Sequence, residues 1–150
     1  MDIPSYTISE KKVKMLRYSK YKPGYKYRVE QDITIDVPEI LGMCCKTDWI
    51  ELADDGFLHI KKGYCWDGAS GPTIDTKSSM RGSLAHDALY QLIRLTLLQA
   101  HYKLHADWIL RRLCITDGMW VWRANRWFGA VQRFGKGAAT PRKVKVLEAP

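Results

Sequence analysis

The sequence has few cysteines, and they are not arranged as in a metal site or a disulfide framework. Its 4 cysteines are Cys44, Cys45, Cys65 and Cys114, which include no Cys-x-x-Cys pair and follow no regular spacing. Zinc modules and disulfide-stapled scaffolds both depend on such spacing. Neither class is indicated, and we expect reduced thiols.

Long apolar segments are also lacking. No run reaches the roughly 20 apolar residues of a membrane-spanning helix. The opening stretch, MDIPSYTISEKK, has an early acidic residue and no apolar core of signal-peptide length. We therefore expect the protein to be made and kept in the cytoplasm.

Acidic residues are outnumbered by basic ones. The sequence has 16 Asp and Glu against 24 Lys and Arg, for a formal net charge of +8. This excess favours an anionic partner or surface, such as phosphate, nucleic acid or acidic lipid. Plain solubility explains it equally well, so charge alone does not identify the partner.

The first half of the chain has the pattern of a β-sheet. A chain of 150 residues has the usual length of one domain, so we expect a single domain that spans residues 1–150. Residues 26–37, KYRVEQDITIDV, alternate apolar and polar side chains, which predicts one half-buried strand. Segments 49–52 and 57–61 flank an Asp-Gly pair, which predicts an antiparallel hairpin.

The second half changes to a helical period. A first helix capped by Ser78 or Ser79 is predicted from the recurrence of Met80, Leu84 and Ala88. A second is expected over 104–114, with Leu104, Trp108 and Ile109 facing inward, and a third over about 119–134. The predicted fold class is α+β, a small antiparallel sheet packed with about three helices.

Both ends of the chain are basic and poor in apolar residues. Residues 1–25 are interpreted as a basic arm or first strand, and residues 140–150 as an extended basic tail. Segments of this composition order best against a partner. In addition, the aromatic-rich third helix has an apolar face wide enough for both core packing and a subunit contact.

A loop rich in glycine and oxygen donors precedes the first helix. In GYCWDGASGP, Gly68 and Gly71 allow the backbone to approach a ligand closely. Oxygen atoms come from Asp67 and from three further residues, Ser70, Thr73 and Asp75. Such ligands suit a hard cation such as calcium. A tight strand-to-helix connection with polar caps is the structural alternative.

Two adjacent ionisable residues, His86 and Asp87, lie inside the apolar first helix. A buried carboxylate must be paired or coordinated, and a buried histidine needs a partner that fixes its tautomer. The pair therefore predicts a polar pocket cut into the core, with Trp66 and the glycine loop beside it. The alternative is an arginine partner for Asp87 and a backbone carbonyl for His86.

Asp107 falls among inward residues of the second predicted helix. An antiparallel neighbour helix would bring its carboxylate against His86 and orient the imidazole. The alternative is an exposed Asp107 that pairs with Arg111 one turn later.

Four stretches in order resemble the bacteriophage and prophage family called Domain of Unknown Function 1353. They are GYCWDGASGP, RGSLAHDALYQL, HADWILRRL and WRANRWFGAVQRFG. The resemblance covers the sheet half through the third helix. It implies a viral setting rather than a particular reaction.

The segment His86-Asp87-Ala88-Leu89-Tyr90 is also similar to the His-Asp-x-x-Tyr helix of secreted phospholipase A2, although the paired cysteines before that histidine are absent here. The likeness implies that His86 is a general base acting through water. It further implies that Asp87 is a calcium ligand, that the loop from Gly68 to Gly71 supplies carbonyl ligands, and that Asp107 and Tyr90 orient the histidine.

The resulting functional hypothesis is a virion or tail-associated phage protein that carries a His-Asp pocket, made in the host cytoplasm and then built into the virion. The alternative is a calcium-dependent lipid or cell-envelope hydrolase. Expected partners are other phage structural proteins in an oligomer or assembly, with acidic phospholipid as a second class and nucleic acid as a third.

Overall fold

The computed structural model describes residues 16–20, 26–69 and 74–141. Predictions for the rest of the two terminal segments lie outside these residues, as do those for Ser70, Gly71 and Thr73 of the glycine loop.

Among the residues that the structure describes, seven short strands form two antiparallel sheets in the first half of the chain. One sheet has the order β1-β2-β7 and the other β3-β6-β5-β4. The strands are β1 (Tyr18–Lys20), β2 (Tyr27–Val29), β3 (Ile33–Asp36), β4 (Cys45–Lys46), β5 (Ile50–Leu52), β6 (Phe57–Ile60) and β7 (Cys65–Trp66). A 3-10 turn, Pro38–Ile40, follows β3.

The strand predicted over 26–37 is wrong as one element, because the chain bends after Val29 and enters the second sheet. β2 pairs with β1 and β7, whereas β3 pairs with β6. The side chain of Asp32 accepts a hydrogen bond from the backbone of Lys62 at 2.7 Å, which holds the bend. The apolar side chains remain buried in both strands, so the alternation survives the change of sheet.

The predicted hairpin is confirmed. β5 and β6 are antiparallel and are joined by the turn at Asp54 and Asp55. Gly56 has a φ of +84°, a conformation that residues with a Cβ rarely adopt, which explains the glycine at this position.

The second half is helical, and the α+β class is confirmed. Its elements are α1 (Lys77–Arg94), α2 (Lys103–Thr116), α3 (Val121–Phe134) and α4 (Lys136–Ala139), with a 3-10 turn at Ala100–Tyr102 before α2. The cap of α1 is Thr76 rather than Ser78 or Ser79. Ser79 is buried three positions into the helix, where its Oγ accepts the backbone N–H of Thr76 at 2.9 Å.

The inward face of α2 differs from the predicted one. Leu104 is 44% exposed and Trp108 40% exposed, while Ile109 is buried as expected. The buried stripe instead runs through Ala106, Ile109, Leu110, Leu113 and Cys114. Apolar character does not by itself decide which side chains are buried, because folded proteins also expose much apolar surface.

α1 is buried along most of its length and packs closely against α2. Gly82 permits this approach, because a Cβ added there would lie 2.7 Å from Sγ of Cys114 and 3.1 Å from the carbonyl oxygen of Leu110. The close crossing places His86, one turn after Gly82, opposite Asp107 of α2. Along the described part of the chain, no helix is long and apolar enough to cross a membrane.

Candidate active site

A pocket of about 380 Å³ opens between β7, the second half of α1 and the C-terminal end of α3. Five of the predicted site residues line it, namely Trp66, Asp67, His86, Asp87 and Tyr90. The other described residues that line it are Tyr64, Cys65, Gln91, Arg94, Ala130, Val131, Phe134, Gly135 and Ala138. We call this cavity the His86 pocket. It has polar groups from α1 on one side and apolar side chains from α3 on the other.

Behind the pocket, the carboxylate of Asp107 is fully buried and accepts four hydrogen bonds. Its Oδ1 accepts from Nε2 of His86 at 2.7 Å and from the hydroxyl of Tyr90 at 2.6 Å. Its Oδ2 accepts from Nζ of Lys103 at 2.8 Å and from the side-chain amide of Gln132. These five residues form what we call the Asp107 cluster, which joins α1, α2 and α3.

Local helix geometry explains how the cluster forms. His86 and Tyr90 are one turn apart on α1, and Lys103 and Asp107 are one turn apart on α2, so each pair shares a face. The predicted contact between His86 and Asp107 is therefore present. The alternative partner of Asp107, Arg111, donates instead to the side-chain oxygen of Asn125 at 2.6 Å.

The cluster holds Asp107 as a carboxylate. Burial favours the neutral acid, but the hydrogen bonds from His86, Lys103 and Tyr90 outweigh burial and keep the pKa of Asp107 below its ordinary value. Burial and the same carboxylate raise the pKa of Tyr90, so its hydroxyl remains a donor.

Burial and the nearby carboxylates have opposite effects on the pKa of His86. Burial disfavours its charged form, but the hydrogen bond to Asp107 and the nearby Asp87 outweigh burial and raise the pKa of His86. Since the Asp107 carboxylate can only accept, Nε2 of His86 carries a proton. In the neutral imidazole the lone pair is then on Nδ1, which lies 3.9 Å from Oδ1 of Asp87. The ring also packs on Tyr90, with the ring centroids 3.9 Å apart.

Asp75, which was predicted to belong to the pocket, bonds to residues other than those that line the His86 pocket. Asp75 accepts hydrogen bonds from the hydroxyl of Tyr27 and the backbone of Ala69, both at 2.7 Å, and from Lys26. This carboxylate therefore ties the loop to β2. Gly68 lies against the same group, since a Cβ there would be 2.6 Å from the Tyr27 ring and 2.7 Å from Asp75.

Of the predicted calcium ligands, Asp67 and Asp87 both line the His86 pocket. Carboxylate oxygens are suitable donors for a hard cation, which usually takes six to eight of them. Within the described ranges, no group of three or more His, Cys, Asp or Glu residues is arranged to hold a metal ion. A calcium site therefore stays a prediction.

Sequence reasoning missed Lys103 and Gln132 in the cluster. The spacing of Lys103 and Asp107, one helical turn, was a usable signal for the first. No sequence signal marks Gln132, because its contact depends on how α3 packs on α2.

The comparisons of this chain with protein-family models, with curated proteins and with solved structures each find no match.

Proposed function

We propose that the protein is a hydrolase in which His86 is the general base. The observation that supports this most directly is the hydrogen bond from Nε2 of His86 to a buried, ionised Asp107, at the wall of a pocket. A histidine held in one tautomer by a carboxylate, with its second nitrogen available for a proton, is the arrangement that general-base catalysis requires.

In this mechanism, Nδ1 of neutral His86 accepts a proton from a water molecule in the pocket while the water oxygen attacks the substrate carbonyl. The imidazolium that forms is stabilised by the negative charge of Asp107. Tyr90, Lys103 and Gln132 keep that carboxylate ionised and oriented. The proton on Nδ1 then passes to the leaving group, which restores the neutral base.

The lining of the pocket supports an ester or amide substrate that has an apolar portion. Val131 and Phe134 provide an apolar wall opposite the polar side chains of α1. Asp67 and Asp87 would hold a cation such as calcium, which would polarise the substrate carbonyl when bound. Phospholipid and peptidoglycan are the two substrates that separate a lipid hydrolase from a cell-envelope hydrolase.

Turnover of phospholipid vesicles and of peptidoglycan, each with and without calcium, tests the proposal. We expect His86→Gln to lower turnover by roughly 100- to 10,000-fold, since it removes the base. His101→Gln, at an exposed position before α2, is the matched control and should have no effect.

Asp87→Asn should weaken calcium binding and turnover together, because an amide is a poorer ligand.

Turnover should also rise with pH as His86 loses its proton. Because its pKa is raised, the midpoint should lie above the ordinary histidine value of about 6.5. Unchanged turnover in His86→Gln, or no turnover of either substrate by the unaltered protein, would contradict the hydrolase proposal.

A second candidate function is a structural component of a phage particle. It is supported by the four stretches that resemble the phage family and by the exposed Leu104 and Trp108 on α2. Trp108 stacks on Phe128 of α3 with ring centroids 4.5 Å apart, which forms an apolar area suited to a subunit contact.

The two functions predict different locations for the protein. A building block should be found by quantitative mass spectrometry at a fixed copy number in washed particles of a phage that encodes it. A free hydrolase should be found in the infected-cell extract instead. Absence from washed particles would rule out the structural role.

A further inference from the structure

The start of α3 exposes several large apolar side chains. Trp120 is 70% exposed and Trp122 is 59% exposed, with their ring centroids 6.3 Å apart. Val121 between them is also exposed, as is Ile74, whose carbonyl oxygen accepts a hydrogen bond from Arg123 at 2.7 Å. We call the group of Ile74, Trp120, Val121 and Trp122 the tryptophan tip. It is costly to leave this much apolar surface in water.

A basic stripe continues from the tip along the outside of α3. Arg126 and Arg133 follow Trp122 by four and eleven residues, which is close to one and three helical turns, so the three side chains share a face. Both arginines are exposed. The opposite face of α3, with Ala124, Trp127 and Val131, is buried.

Acidic side chains do not offset this charge. α3 itself contains three arginines, Arg123, Arg126 and Arg133, and no acidic residue, and the nearest acids before it along the chain are Asp107 and Asp117. Asp107 is buried in its cluster, and Asp117 is paired with Arg81 at 2.6 Å. The outer surface of α3 is therefore positive.

We propose that the tryptophan tip and the basic stripe dock the protein onto an anionic phospholipid bilayer. Indole rings favour the boundary between headgroups and acyl chains, and arginines are attracted to lipid phosphates. Because the stripe runs the length of α3, the helix lies along the membrane surface while the tip enters the headgroup region. This inference concerns binding alone and does not depend on the hydrolase proposal.

Two other partners fit the same surface less well. A nucleic acid would pair with the arginines and stack on the tryptophans, but Ile74 and Val121 have no ring for a base to stack on. A second copy of the chain in a two-fold contact would bring two positive stripes together, which is unfavourable. The bilayer is the partner that uses both the aliphatic and the charged side chains.

Co-sedimentation of the full chain with vesicles tests the proposal. One set contains equal parts of phosphatidylglycerol and phosphatidylcholine, and the other contains phosphatidylcholine alone. We expect binding to the anionic set, weakened by salt. Arg126→Gln with Arg133→Gln should weaken it roughly 25-fold, at about fivefold for each basic residue. Trp120→Ala with Trp122→Ala should weaken it by about tenfold or more.

Matched control variants come from the sheet half. Trp49→Ala removes a tryptophan that is 48% exposed, and Lys61→Gln with Lys62→Gln removes two exposed basic residues. All these changes are at the surface, and circular dichroism would verify that each variant is folded. We expect both controls to bind anionic vesicles as the unaltered chain does.

Three results would overturn the proposal. The first is no preference for anionic vesicles, and the second is an equal loss of binding in the sheet-half controls. The third is evidence that the tryptophan tip binds another partner and does not bind vesicles. That evidence would be either self-association that the tryptophan changes abolish or binding of a single-stranded oligonucleotide.

Discussion

Asp107→Asn should lower the free energy of unfolding by about 3–5 kcal/mol, the usual cost of breaking a buried charge pair. The amide preserves the shape of the side chain but has only one oxygen acceptor. Its NH₂ group would face two hydrogen-bond donors, either Lys103 and Gln132 or His86 and Tyr90. The charge of Lys103 would also lose its carboxylate partner.

Urea unfolding followed by circular dichroism measures this change. Glu51→Gln is the matched control, because it makes the same kind of change in an exposed ion pair with Lys46 at 3.2 Å. The control should lose less than about 1 kcal/mol. A similar small loss in both variants would show that the Asp107 cluster contributes little to stability.

The same variant should alter the dependence of stability on pH. The folded pKa of Asp107 is below its ordinary value of about 3.9. Its stabilisation is therefore present above that ordinary value and is lost as pH falls through the lower, folded pKa. Asp107→Asn should remove this part of the acid destabilisation, whereas Glu51→Gln should retain it.

Gly82→Ala should destabilise the protein by about 1–3 kcal/mol, the usual cost of adding volume to a tightly packed core. The new Cβ would lie 2.7 Å from Sγ of buried Cys114 and 3.1 Å from the backbone oxygen of Leu110. α1 and α2 must then move apart. His86 and Asp107 lie on these same two helices, so their hydrogen bond should weaken and the pKa of His86 should fall.

The control for this substitution is Gly129→Ala on α3, where a Cβ would meet nothing within 4 Å. Alanine is the better helix former, so Gly129→Ala should stabilise the protein by up to about 1 kcal/mol. Denaturant unfolding measures both variants, and an NMR titration of His86 reports on the site. A Gly82→Ala protein at least as stable as the unaltered chain would contradict the close packing of α1 against α2.

Local pattern was sufficient to predict several elements of this fold. The Asp-Gly pair predicted the hairpin between β5 and β6, because that turn requires a residue with positive φ. The helical recurrence of apolar residues predicted α1. The contact of His86 with Asp107 also followed from sequence, since two polar residues on apolar helix faces each need a partner.

Other features depended on contacts between distant parts of the chain. Residues 26–37 have one continuous alternation, yet they form two strands, because β2 and β3 pair with strands of different sheets. Leu104 and Trp108 were predicted inward, but the stripe through Ala106 and Leu110 is the buried one.

The sequence by itself determined the α+β class and the largely buried helix α1, because both follow from short-range periodicity. It also determined that a buried histidine and a buried aspartate need partners, because burying an unpaired charge is costly. Only the tertiary structure decided that Gln132 completes the Asp107 cluster, that Asp75 ties the loop to β2, and that Trp120 and Trp122 are exposed. These outcomes depend on how whole helices and sheets pack, and a pattern within one element contains no information about the neighbour that will cover it.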